Sequence, residues 1–553
     1  MLVLYRHQEN DAASLNQNIL NILQSTSQQI ADSSANMSPD SMKTCFMLTE
    51  SMFALVDQQI NQLTVKTCIE QLYQTIERIQ SLVCTDIFAL NTQLGEDQLQ
   101  LTRENQKVSS ILQKTEVMSA FMSMILRILT RLTSKQQYDP SYIGFVTSRE
   151  LAQIFIRTFS FGVQIPHSPN NMTVISITGL QVLDNQINQL KTRTLECMNY
   201  ILKHKDKRCD AEMARDNHQV IKGIQPLLPV VLQSLIICGQ RTDLQLIIEE
   251  ETISNFIIEL LELNHCITQY EQFKVIFLQY LPNLILNVCM QMIKTTETER
   301  QQMYDNPQEF VSLALDTCDR QKSYIIKTQA AKLIEALCDN IDGAVTLITF
   351  FCVESLNFTL SKESGKEALN LGEFSININD KHQQLCQSST FMQHSKPDVI
   401  IDAAITVLGL LSYVHSKNQY KNIFSIMEST LNYYINEIIN NESKLVRARY
   451  ALFLGYLVDM LYKDKDDAFR QTIFFLYQSV NLKGEDKAIA LQSIDTLKTV
   501  TCDQDLFPRI KKAKLLPDMI KMIEESIHNI QNHEYLDFIQ DFIQTYGEEI
   551  DDE

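Results

Sequence analysis

The residues best able to do chemistry here are ten histidines and thirteen cysteines, and their spacing points away from it. The histidines do not cluster. His204 and the pair His265–Cys266 stand without companions at metal-ligand spacing, and no H-E-x-x-H or C-x-x-C occurs. The cysteines run singly from Cys45 to Cys502. Most lie in apolar stretches, such as those around Cys238 and Cys289, where a thiol serves as a small hydrophobe. No G-x-x-x-x-G-K-[ST], G-x-G-x-x-G or G-x-S-x-G is present. Loops that cradle phosphates need glycine, and Gly 13 in 553 residues supplies little of it. The sequence therefore predicts no catalytic residue, no metal site and no cofactor.

The same scarcity speaks to fold. Gly 13 and Pro 11 are about 2% each of 553 residues, against ~7% and ~5% on average. Tight hairpins need glycine for positive φ, so a large β-sandwich, a propeller or a dinucleotide-binding enzyme is disfavoured and an all-α chain is expected. A single core stops growing near ~250–300 residues, which leaves several domains or one extended repeat array. Lys plus Arg number 48 against 67 Asp plus Glu, a net charge of -19. Such a chain repels nucleic-acid phosphates and anionic membranes and favours a basic partner. The acidic run Glu249, Glu250, Glu251 is a candidate contact for one. Unpaired cysteines fit a reducing compartment. The longest apolar stretches, around 227–238 and 344–353, are shorter than the ~20 residues that cross a bilayer, so no membrane segment is expected.

Helical periodicity runs almost throughout. Phe121, Met124, Ile125, Ile128, Leu129 and Leu132 share one stripe. Pro282 separates Phe273–Leu278 from Leu284–Met292, which reads as a helix pair. The basic run Lys203–Arg208 reads as a helix end, where cations suit the dipole. Ser443–Leu461 and Glu485–Val500 align forty residues apart: Arg447 with Lys487, Ala448 with Ala488, Leu454 with Ile494, Leu457 with Leu497. Each helix opens with a cation, follows with a small residue that allows close approach, and continues with an apolar stripe. A unit that cannot bury its apolar face alone must stack, and a period near ~40 is that of HEAT repeats. Ile326–Leu337 and Asp402–Leu411 share the texture at other intervals. The fold expected is an α-solenoid of HEAT/ARM type: divergent helical repeats over 1–165, central repeats over 172–355, a polar insertion over 356–398, further repeats over 399–547 and an acidic tail at 548–553.

The strongest local signal is Asn287–Asp319. An apolar helix ends at Lys294, a Thr/Glu-rich turn follows, and then Asp305-Asn306-Pro307-Gln308-Glu309-Phe310 opens another helix. Asp305 or Asn306 can cap it, Pro307 suits its first position, and Glu309 suits the positive dipole end.

This run resembles the middle repeats of the importin-β (karyopherin-β) superfamily of nuclear transport receptors. Lys396–Gly409 is similar to a K-x-D-A-A repeat, and Leu445–Leu452, with Arg447 and Arg449, to an L-x-R-A-R repeat. Lys487–Leu491 and Leu536–Glu549 resemble the helices that follow in that family. The likeness covers about 270–550. Asp-Asn-Pro replaces the family's Asp-Pro, and no N-terminal helix pair of the kind that contacts the GTPase Ran is recognisable. The resemblance implies a receptor that binds a basic cargo protein and Ran-GTP, touches nucleoporins and shuttles between cytoplasm and nucleus. It carries Asp305, Pro307, Glu309, Phe310, Arg447 and Arg449 as motif residues. A scaffold of the same fold without Ran contact is the alternative.

Overall fold

A computed structural model describes residues 79–89, 106–134, 181–203, 225–241, 250–315, 322–369, 380–411, 421–457, 466–480, 482–501, 515–527 and 533–550, with isolated positions elsewhere. Among these the chain is helical and contains no strand, so it is all-α. It divides into two compact units: residues 1–238 with 247–276, and residues 239–246 with 277–553. The break expected at 165–171 and most of 1–165 lie outside the described residues, as does Glu249. The span 172–355 is shared between the two units.

In the first unit, α1 (Gln106–Ser134) packs on α2 (Gln181–Lys203), and α2 packs on α4 (Glu251–Thr268); α3 is Leu228–Gly239. The stripe seen around Met124 falls within α1, and the basic run begins at the last residue of α2. Polar groups hold the register. The Cys197 thiol donates to the Met122 carbonyl at 3.2 Å, and Asn199 Nδ2 donates to the Glu259 carbonyl and to its Oε2. Lys191 is fully buried in α2. Burial drives its pKa down to about 7, against weaker opposing effects of Cys238 and Asp184.

The second unit begins within α5 (Lys274–Leu284). Pro282 does not end this helix. It lacks an N–H for the Leu278 carbonyl, yet the chain continues through a π-helical turn at Ile285–Met290 to Ile293. Every residue from Ile285 to Ile293 is buried. The apolar gain along this stretch outweighs one lost backbone bond, so the expected helix pair is one helix. Next come α6 (Glu297–Asp305), α7 (Pro307–Leu315), α8 (Lys322–Asn340) and α9 (Ala344–Ser364). The segment expected as a Thr/Glu-rich turn is α6 itself, because Thr296 and Glu299 close a reciprocal capping box at its start.

The stretch expected as a polar insertion starts inside α9, which runs to Ser364 and ends on Gly365 at φ 68°. α10 (Asp380–Ser388) and α11 (Thr390–His394) occupy its later part. Leu356, Leu360, Cys386 and Phe391 are buried, so the apolar residues scattered in this polar text suffice to dock it. Residues 370–379 lie outside the described ones.

The rest of the unit is α12 (Pro397–Leu410), α13 (Lys421–Ile439), α14 (Lys444–Leu457), α15 (Asp466–Ser479), α16 (Lys487–Thr501), α17 (Leu516–Ile527) and α18 (His533–Ile550). α9 packs on α12, α12 on α14, α14 on α16 and α16 on α18; α13 lies on α9 and α14, and α15 on α16. Gly455 of α14 faces Thr496 of α16, where an added Cβ would lie in ordinary contact at 3.6 Å, and Thr496 Oγ1 donates to the Ala451 carbonyl at 2.8 Å. Ala448 and Ala488, the small residues of the aligned helices, are both buried.

Two helical stretches, one of them running from before α5 through α6, prove longer than the apolar runs read from the sequence. By length and composition alone, Glu271–Asp305 and Ala344–Lys362 meet the requirement for crossing a bilayer, with mean hydropathy 1.4 and 1.5. Of the Ala344–Lys362 window 78% is buried within the fold, and of the other 56%. Apolar helices at the centre of a helical unit have this character.

The buried ammonium of Lys191 makes stability pH-dependent. Its folded value of about 7 lies below the ordinary 10.5, so between these the unfolded chain binds the extra proton and stability rises with pH. Lys191→Met is expected to be more stable than the parent at pH 7, with the gap narrowing as pH approaches 10.5. Urea titrations at several pH values check this.

Candidate functional site

Asp305, Pro307, Glu309 and Phe310 lie on α6–α7, which runs across the starts of α12, α14, α16 and α18, and Arg447 and Arg449 lie at the start of α14. The anchor is Asp402 in the second turn of α12. Its side chain is fully buried. Arg449 of α14 donates from Nε to Oδ1 at 2.6 Å, and Thr295, just before α6, donates from Oγ1 to Oδ2 at 2.7 Å. Arg449 is itself only 11% exposed. A carboxylate removed from water needs such partners on both oxygens.

Beside it, Asp398 in the first turn of α12 accepts from Arg300 of α6 and, at 2.9 Å, from Ser443 ahead of α14. Arg447 Nη2 donates to Asp486 Oδ1 at 3.3 Å, tying α14 to the turn before α16. Lys444 Nζ lies 5.4 Å from the Tyr304 ring centre, a cation–π contact from α14 to α6. Glu299 of α6 pairs with Lys327 of α8. Gln308 of α7 donates to Glu534 Oε1 of α18 at 2.8 Å, across 226 residues of chain. Beneath these contacts Met303, Phe310, Val311, Val399, Leu445, Ala488 and Leu491 form one buried cluster.

The start of α7 is capped by Asn306, whose Oδ1 accepts from the Glu309 amide while its Nδ2 donates to Glu309 Oε2 at 2.8 Å. Asp305 instead accepts from Gln301 at the end of α6. Pro307 is the first residue of α7, Glu309 is at the surface and Phe310 is buried. Arg447 and Arg449 enter ion pairs within the same unit. Glu250 and Glu251 belong to the first unit, at the start of α4, where Glu250 makes no side-chain cap. The sequence reading missed Thr295, Arg300, Asp398, Asp402, Gln308 and Asp486 as site residues. Asp398 and Asp402 stood within the quoted repeat, and only their partners' distance along the chain hid their role.

A cavity of about 510 Å³ opens where α7, α16 and α18 meet. Val311, Leu491 and Ile494 supply apolar walls; Gln308, Ser312, Asp495, Lys498 and Glu534 supply polar ones. Burial raises the Asp495 pKa, with Lys498 opposing. Glu534 is held low, first by its own backbone amide and then by Gln308, with burial opposing. Ser312 Oγ donates to the Glu309 carbonyl at 3.0 Å. Apolar walls with a few polar groups can receive the side chain of a partner.

Compared with known proteins, the chain matches no protein-family model and no curated protein.

Three substitutions test the geometry. Arg449→Met strands the Asp402 carboxylate and is expected to cost about 3–5 kcal/mol. Adding Asp402→Asn should recover part of that loss, because the stranded charge is gone; chemical denaturation measures both. Phe310→Ala removes the largest side chain beneath α7, at about 3–5 kcal/mol of local stability. Limited proteolysis should then cut within 294–315 well before the rest of the chain, with helix content unchanged by circular dichroism.

Proposed function

We propose that the second unit is a HEAT-type repeat stack and that the protein is a nuclear transport receptor, binding a basic cargo protein and Ran-GTP. The observation that carries the repeat reading is the row α12, α14, α16 and α18. These helices start at residues 397, 444, 487 and 533, about 45 apart, and each packs on the next. That interval lies in the HEAT range of ~40–47. The ion pair between Asp402 and Arg449 links consecutive members of the row. The net charge of -19 supports a basic cargo. The likeness of Asp305–Phe310 and Leu445–Leu452 to karyopherin repeats supports the transport role, and with it Ran-GTP, nucleoporin contact and passage between cytoplasm and nucleus.

On this reading the work is done by a surface. Units that contact chiefly their neighbours change curvature at small energetic cost. Cargo and Ran-GTP favour different curvatures, and each lowers the other's affinity by the same factor.

The test is capture of purified Ran on the immobilised protein. Ran locked with GTP is expected to be retained and Ran-GDP to wash through. A basic cargo peptide bound beforehand should be released by Ran-GTP if the receptor imports and held more tightly if it exports. Equal behaviour of the two nucleotide forms overturns the transport reading and leaves a static scaffold.

A further inference from the structure

In the first unit, α4 presents Glu262, His265 and Cys266 at positions i, i+3 and i+4 of one helix face. His265 and Cys266 looked companionless in the sequence because a carboxylate one turn earlier was not counted with them. One potential ligand atom of each residue lies within 4.8 Å of the other two. Cys266 Sγ and His265 Nδ1 are each 3.8 Å from Glu262 Oε1. Atoms so spaced surround a point about 2.2–2.5 Å from all three, against ~2.0–2.3 Å for zinc–ligand bonds. Small rotations about the side-chain bonds close that difference.

Two further observations point to a cation. His265 Nδ1 is out of reach of solvent and has no hydrogen-bond partner. At 3.8 Å its separation from Glu262 is too long for a hydrogen bond. Lys203, the last residue of α2, places Nζ 3.0 Å from Glu262 Oε1. Its side chain is 49% exposed, whereas that of Glu262 is 12% exposed. A flexible surface ammonium thus covers a largely buried carboxylate and can swing away.

We propose that Glu262, His265 and Cys266 form a binding site for a transition-metal dication of the zinc class, with Lys203 as the cation that occludes it. The mixed oxygen, nitrogen and sulfur set excludes magnesium and calcium, which take oxygen ligands, and suits zinc or its cobalt analogue. On binding, the Cys266 S–H bond breaks, its proton leaves to solvent, and the sulfur forms the metal bond. Glu262 exchanges the ammonium for the metal, and a water completes a four-coordinate shell.

The experiment uses the full-length reduced protein titrated with Co²⁺, then Zn²⁺. The parent should bind one equivalent more Co²⁺ than Cys266→Ser or His265→Asn, with a thiolate-to-cobalt absorption band that Zn²⁺ abolishes. Lys203→Met leaves the ligands intact and should tighten that equivalent on the order of tenfold by removing the competing charge. Equal stoichiometry in the parent and both ligand variants, each folded by circular dichroism, overturns the site. Unchanged affinity in Lys203→Met overturns the occluding role.

Discussion

A buried carboxylate is costly to desolvate unless its partners stand ready, and Asp402 meets that cost with two of them from different parts of the chain. Arg449 fixes where α14 lies against α12. Thr295 fixes where the chain leaves the buried π-helical stretch and enters α6. With Thr295 placed, Thr296 caps α6 and Glu299 reaches Lys327. The direction of α6 and α7 across the helix starts then follows, and Met303 and Phe310 land in the cluster with Val399, Leu445 and Ala488. One polar triad therefore sets both the packing of two long helices and the course of the segment that crosses them.

That crossing segment also accounts for a local anomaly. Lys444 and Arg447 open α14, although the positive end of a helix dipole disfavours cations. The contacts supply the compensation. Asp486 faces Arg447 and, at 4.0 Å, Lys444, while the Tyr304 ring face takes the ammonium of Lys444. α12 and α18, by contrast, carry Asp398 and Glu534 in their first turns, which suit the dipole and accept from Arg300 and Gln308. Charge of either sign at a helix start is tolerated here because α6, α7 or the turn before α16 brings its complement.

Local chemistry was legible in the sequence and distant pairing was not. The start of α7 at Pro307 and the end of the buried helix at Lys294 rest on interactions within a few residues. Asn306 and Asp305 competed for the cap, and only geometry separates them, since Asn alone can both accept from the Glu309 amide and donate to its carboxylate. The pairing of Thr295 with Asp402 spans 107 residues and that of Gln308 with Glu534 spans 226, and no spacing rule foresees either. Pro282 misled for a different reason. A proline's local penalty is fixed, whereas the burial of the nine residues from Ile285 to Ile293 depends on what packs around them. Glu262 escaped notice because acids are common on helices, and only its place one turn before His265 and Cys266 sets it apart.

A row of helices held only by neighbours would have a soft curvature. Here α7 ties the row together, because its partners come from α16 and α18 while α6, one residue before it, is held by α12 and α14. The tie is made of contacts of unequal strength. The Asp402 triad is buried and costly to break, whereas Gln308 and Glu534 meet at the surface, beside the cavity. The contact at the α18 end is therefore the weaker of the two and the one at α12 the stronger. On the proposed reading, a partner that fills the cavity between α7, α16 and α18 acts where the row is least constrained, and its binding energy is converted into curvature there rather than spent against the buried charge.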